Sequence, residues 1–126
     1  MNNKKWMIYG ANGYTGRLVV EEAVVKGLSP VLAGRSSDVK ILAKENNFES
    51  IIFDLQTVDQ IADHIEGLSV VANCAGPFSQ TAEKMMRACI KTGAHYIDIT
   101  GEIAVYELAN SLDQEALASN VVLCPG

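Results

Sequence analysis

Short apolar runs alternate with amphipathic stretches along the whole chain, and that alternation sharply limits what it can fold into. Trp6-Met7-Ile8-Tyr9, Val31-Leu32-Ala33, Ile51-Ile52-Phe53, Val70-Val71-Ala72, Tyr96-Ile97-Asp98-Ile99 and Val121-Val122-Leu123 are each too short to be a helix. They read as strands covered on both faces. Between them apolar residues recur at helical spacing, as in Val58, Ile61, Ala62, Ile65 and again in Ala82, Met85, Met86, Cys89, Ile90, so each segment carries one apolar stripe. Thr57 and Gln60 form a capping box at one helix start. Gly27, Gly67 and Gly93 lie just past three helices, where a left-handed residue closes the last turn, and Asn46-Asn47 and Asn120 can serve the other two. Six strands and five intervening helices in strict alternation predict parallel strands joined by right-handed crossovers. The expected fold is a single doubly wound α/β domain over residues 1–126, with the Rossmann strand order 3-2-1-4-5-6.

Composition narrows the function classes. The 126 residues fit one domain, and 48% apolar against 20% charged residues is a globular balance. A net charge of −5 gives no basic footprint for nucleic acid and nothing polybasic for an anionic membrane. An anionic ligand would therefore need local positive groups. No apolar run approaches the roughly 18 residues of a membrane span. Met1-Asn2-Asn3-Lys4-Lys5 leads directly into the first strand without the longer apolar stretch of a secretory signal. The expected location is cytoplasmic. Cys74, Cys89 and Cys124 are odd in number and widely spaced, which argues against a disulfide framework and against a metal site.

The strongest motif is Gly10-Ala11-Asn12-Gly13-Tyr14-Thr15-Gly16, directly after the first strand and opening the first helix. Gly10 permits a tight turn, Gly13 lets a diphosphate approach the backbone, and Gly16 lets the helix pack close to the strand. The amides of Asn12 through Thr15 then point at an anion, helped by the helix dipole. The spacing is Gly-x-x-Gly-x-x-Gly, so dinucleotide binding rests on context more than on the string, and a merely structural turn is the alternative.

At the end of the second strand, where an NAD-binding domain usually carries an acid, the chain reads Gly34-Arg35-Ser36-Ser37. A guanidinium and hydroxyls suit a ribose 2′-phosphate; a solvated arginine followed by a helix-capping serine is the other reading. Arg17 is a weaker candidate for the same phosphate. Asp54, after strand three, can reach an adenine amino group or simply cap the next turn. Ala75-Gly76-Pro77, after strand four, offers the small residues that let a cofactor cross the strand ends. Cys74 has no basic neighbour in sequence to activate it as a nucleophile. Asp98, Thr100 and Glu102 end strand five on the same edge, where they line a nicotinamide pocket or form the polar side of a half-buried strand. His64 and His95 find no metal or catalytic partner.

Taken together, Gly-Ala-x-Gly-Tyr-Thr-Gly, Leu-Ala-Gly-Arg, Cys-Ala-Gly-Pro-Phe and Tyr-x-Asp-x-Thr-Gly-Glu, in this order, resemble the NADP-binding domain of the saccharopine dehydrogenase-like reductases. The resemblance covers essentially the whole chain. It implies NADP(H) as cofactor, the phosphate loop, Arg35 and the Gly76-Pro77-Phe78 turn as its contacts, and a substrate domain inserted after a Pro-Gly such as Pro125-Gly126. On that analogy the chain is the cofactor half of an NADP-dependent oxidoreductase without its substrate half, and no catalytic residue carries over. Self-association through the uncovered apolar face, giving a homo-oligomer, is a further expectation. The competing reading is a stand-alone, non-catalytic NADP-binding or redox-sensing module. A short-chain dehydrogenase is disfavoured, since no tyrosine here has a lysine four residues on.

Overall fold

A computed structural model of the chain describes residues 4–126; Met1, Asn2 and Asn3, and with them part of the reading of the N-terminus, lie outside it. The elements run β1 (Trp6–Tyr9), α1 (Tyr14–Val25), β2 (Val31–Gly34), α2 (Asp38–Glu45), β3 (Ser50–Ile52), α3 (Val58–Ile65), β4 (Val70–Asn73), α4 (Phe78–Thr92), β5 (His95–Asp98), α5 (Ile103–Ser111), α6 (Asp113–Ala118) and β6 (Leu123–Cys124). The six strands form one sheet in the order β3-β2-β1-β4-β5-β6, and all five pairings are parallel. The doubly wound α/β fold and its Rossmann strand order are as the alternation predicts.

Side-chain parity divides the core into two layers. Met7, Tyr9, Val71 and Tyr96 point to the α3–α4–α5 side, where Ile61, Met85, Met86 and Leu112 are buried with them. Ile8 and Leu32 point to the other side, against Val20 of α1 and Val39 and Ala43 of α2. Five helix ends are closed by left-handed residues after the last turn: Gly27, Gly67 and Gly93, with Asn47 and Asn120 in the same conformation. Thr57 accepts the Gln60 amide at 3.2 Å and starts α3.

Two details differ from the sequence expectation. The last intervening helix is two, broken at Leu112. Ser111 Oγ donates to the Leu108 carbonyl at 2.7 Å, and the Leu112 amide is shared between the Leu108 and Ala109 carbonyls, a back-bonding pattern that bends helices. Strand six starts later and is shorter than the apolar run, because Val121 closes the preceding helix on Ala116 and Val122 donates to His95 Nδ1 at 3.0 Å. His95 thus bridges β5 to the approach to β6.

Candidate functional site

The site grows out of the turn after β1. Gly10 and Ala11 both donate to the Ala33 carbonyl, at 2.8 and 3.1 Å, which fastens the turn to β2. Gly10 has φ +80°, and a Cβ there would stand 2.8 Å from the Ala75 amide nitrogen. Only glycine allows the β1 and β4 loops to pass so closely. A Cβ on Gly16 would lie 2.1 Å from the Gly10 carbonyl oxygen and 2.9 Å from the Ala11 Cα, so its absence lets α1 begin against the strand end. Gly13 and Gly76 are different. A Cβ on Gly13 would meet nothing closer than 3.4 Å, and one on Gly76 nothing within 4 Å. The fold itself makes no demand for glycine at either place.

The amides of the loop are not all available. Gly13 donates to the Gly10 carbonyl at 3.1 Å, which corrects the expectation that every amide from Asn12 through Thr15 faces outward. Among the described residues, the amides of Asn12, Tyr14 and Thr15 find no acceptor in the protein. These unpaired donors sit at the start of a 12-residue helix with no acid in its first turn, where the helix dipole adds about half a positive charge. Arg17 does not extend the cluster. Its Nε donates to the Asn12 carbonyl at 3.0 Å and it is outside the cleft lining, so it braces the loop.

A cleft of about 750 Å³ runs along the carboxyl ends of the strands, within the size range of cofactor pockets. Its lining brings together Gly10, Asn12, Gly13, Tyr14 and Thr15 from the first turn, Arg35 and Ser36 after β2, Asp54 after β3, and Ala75, Gly76 and Pro77 after β4. Of the residues singled out in the sequence as cofactor contacts, Gly16, Arg17 and Phe78 stay out of the lining, Gly16 being buried in the first turn of α1. Arg35 is exposed and, among the described residues, makes no ion pair. Ser36 Oγ accepts the Asp38 amide at 3.1 Å. It satisfies the first amide of α2 and keeps its hydroxyl proton free to donate.

The sequence reading missed several wall residues. Tyr9 forms part of the floor; its hydroxyl donates to the Phe53 carbonyl at 2.9 Å. Burial and the Asp54 charge push this phenol up to about 12, against a smaller opposing effect of Arg35. Gln80 and Thr81 also line the cleft; they lie in the first turn of α4, one helical turn on from Pro77. Cys74 lines it as well, but burial, aided by the Asp98 charge, pushes its thiol up to about 11, the opposite of what activation requires. Asp98, Thr100 and Glu102 do not line the cleft. Glu102 Oε2 instead accepts the Phe78 amide at 3.0 Å, closing the start of α4, while Asp98 and Thr100 are buried at 7% and 3% exposure.

Measured against known proteins, residues 6–124 match the family model of the saccharopine dehydrogenase NADP binding domain. The chain belongs to that family. As a saccharopine dehydrogenase-type domain, it is 29% identical to the human saccharopine dehydrogenase-like oxidoreductase, over 95% of this chain and 33% of that one. It therefore spans about a third of the length of the curated relatives it matches. Apo saccharopine dehydrogenase (L-Glu forming) from Saccharomyces cerevisiae superposes with a TM-score of 0.78 at 16% identity, over 98% of this chain and 27% of that one. Triphenylmethane reductase from Citrobacter sp., solved as a complex with NADP(H), superposes with a TM-score of 0.69 at 14% identity, over 93% and 46% of the two chains. At such identities the two structures speak for the fold.

Proposed function

We propose that the cleft binds NADP(H) in preference to NAD(H), and that this domain is the cofactor-holding part of an NADP-dependent oxidoreductase. The observation that carries the reading is the pairing of an open, glycine-framed start of α1 with an unpaired guanidinium at the end of β2, in one cleft. The diphosphate belongs at the free amides of Asn12, Tyr14 and Thr15, reached over Gly13. The adenosine ribose then falls at the end of β2, where Arg35 offers paired donors and Ser36 a hydroxyl to a 2′-phosphate. No acid stands there to favour the plain ribose of NAD. Asp54 lies on the adenine side, and Ala75, Gly76 and Pro77 form the wall toward the nicotinamide, with Gly76 leaving open space. The family of the chain supports the same cofactor.

When bound, NADPH supplies a hydride from its nicotinamide ring; the residues on this chain hold and orient the dinucleotide. Among the described residues of the lining, the Tyr9 hydroxyl is spent on the Phe53 carbonyl and burial holds Cys74 as a thiol, so neither is set up as a proton donor or base for a substrate. Substrate and proton chemistry are therefore assigned to other parts of such an enzyme, and the chain alone is expected to turn over no substrate. The three free cysteines suit a reducing compartment, and a cytoplasmic location is part of this proposal. No helix of the described residues is long and apolar enough to cross a membrane.

Calorimetric titration with both dinucleotides tests the reading. A charge-assisted contact contributes about 1.5–3 kcal/mol, so NADP⁺ is expected to bind roughly 10- to 100-fold more tightly than NAD⁺. Arg35→Ala should remove most of that preference and leave NAD⁺ affinity in place. Equal affinities in the unaltered chain, or a substitution that weakens both cofactors alike, would show Arg35 to be an ordinary surface residue.

A further inference from the structure

Behind the cleft wall lies a set of buried polar side chains that the cofactor reading does not use. Asn73, at the end of β4, is fully buried. Its Oδ1 accepts the Ala75 amide at 3.1 Å, and its Nδ2 donates to Thr81 Oγ1 at 3.0 Å and to the Tyr96 hydroxyl at 3.1 Å. Thr81 passes its own proton to the Ala75 carbonyl at 2.7 Å. Tyr96 passes its proton to Asp98 Oδ2 at 2.5 Å. Asp98 only accepts: its Oδ1 also takes the amides of Thr100 at 2.9 Å and Gly126 at 3.1 Å.

The donor directions in this network are forced. A hydroxyl has one proton. Because Tyr96 gives its proton to Asp98, it can only accept from Asn73; because Thr81 gives its proton to the Ala75 carbonyl, it too can only accept from Asn73. Two acceptors on one side of the Asn73 amide leave its oxygen no direction but toward the Ala75 amide. Ala75 is thereby gripped at both its N–H and its C=O, and among the described residues no buried side-chain polar atom is left unpaired. A fully paired buried network of this kind fixes one arrangement, since any rotation leaves a buried donor without an acceptor.

We propose that Tyr96 is a positioning residue for the cofactor: through Asn73 and Thr81 it holds Ala75-Gly76-Pro77 as a rigid wall of the cleft. The proposal rests on the cofactor reading above for its consequence, but its mechanism is a property of the ligand-free protein. The wall faces the part common to NADP and NAD, so the network sets affinity for both and discriminates between neither. It also accounts for the burial of Asp98 and Thr100 beside exposed Ile97 and Ile99: the polar residues at the end of β5 and just after it face inward, where Asp98 accepts from Tyr96 and from the Thr100 amide.

Tyr96→Phe keeps the ring and removes the hydroxyl; Thr81→Val and Thr81→Ser remove and retain the second hydroxyl. In the ligand-free chain, hydrogen exchange at the Ala75 amide is expected to speed up about tenfold in Tyr96→Phe and in Thr81→Val, relative to the core amides of Ile8 and Val71, and to stay slow in Thr81→Ser. Dissociation constants for NADP⁺ and NAD⁺ should then rise by the same factor, about five- to tenfold, with their ratio unchanged. Ala75 exchange that rises only in step with Ile8 and Val71 would overturn the proposal, because a merely stabilising tyrosine does just that. So would a loss confined to NADP⁺. Should Tyr96→Phe fail to fold, the Thr81 pair carries the same exchange test. If the unaltered chain binds neither dinucleotide, the cofactor reading falls while the exchange result still decides whether the network grips Ala75.

Discussion

Two helices begin at the same edge of the sheet and border the same cleft, α1 after β1 and α4 after β4, yet their first amides are treated in opposite ways. At α1 the amides of Asn12, Tyr14 and Thr15 meet no acceptor among the described residues, and no acid stands in the first turn. At α4 the first amide, that of Phe78, is taken by the Glu102 carboxylate at 3.0 Å. A helix start carries positive potential wherever it lies. On the proposed reading, one start serves as an anion site because the fold leaves its donors unpaired, whereas at the other a carboxylate from a distant loop takes the first amide. The glycines follow the same division: Gly10 and Gly16 are needed by neighbouring protein atoms, whereas Gly13 and Gly76 leave space for something else.

The sharpest way to break this comparison is to separate folding from binding at α1. Gly16→Ala drives a methyl into the Gly10 carbonyl and should destabilise the domain by about 3 kcal/mol or more, read as a lowered denaturant midpoint. Gly13→Asp should do the reverse. Asp is a favoured helix N-cap and its charge suits the dipole, so stability should hold or rise slightly. A carboxylate in the place of the diphosphate should nevertheless weaken both NADP⁺ and NAD⁺ by about a hundredfold. If Gly13→Asp binds like the unaltered chain, the start of α1 is not the anion site.

At α4 the expected effects are smaller. Glu102→Gln keeps an acceptor for Phe78 but removes its charge, so stability should fall by about 1 kcal/mol, with dinucleotide affinity nearly unchanged. A large loss of affinity would mean that α4 takes part in binding. Cys74 reports on the same end by its acidity. An open helix start nearby would favour a thiolate; here burial and Asp98 push the thiol up to about 11. Since the shift favours the protonated form, alkylation of Cys74 should be slow near pH 8 and accelerate only as pH rises toward about 11. Exposed Cys124 should react first, as peptide mapping after brief iodoacetamide treatment would show.

The α1 side of the comparison was legible in the sequence because its causes are local. Glycines three residues apart between a strand and a helix carry their own steric argument, and Arg35 follows β2 directly. The α4 side was not. Glu102 reaches Phe78 from 24 residues away, and no spacing rule links them. β5 misled for a related reason. Alternation of Ile97, Asp98, Ile99 and Thr100 leaves open which face is inward, and the polar face is the buried one because Tyr96, itself held by Asn73, and the Gly126 and Thr100 amides satisfy Asp98. Apolar Ile97, in register with Ile8 through Ala72, and Ile99 are exposed. The break at Leu112 coincides with a serine back-bond and a shared Leu112 amide, which propensity does not reveal.

The comparison comes down to which backbone amides meet the cofactor's phosphates, and a backbone-resolved NMR titration of the chain with NADP⁺ reads that directly. The account predicts the largest amide shifts at Asn12, Tyr14 and Thr15, with the Phe78 amide nearly still because Glu102 already holds it. Shifts centred on Phe78, with the α1 amides unmoved at saturation, would contradict it.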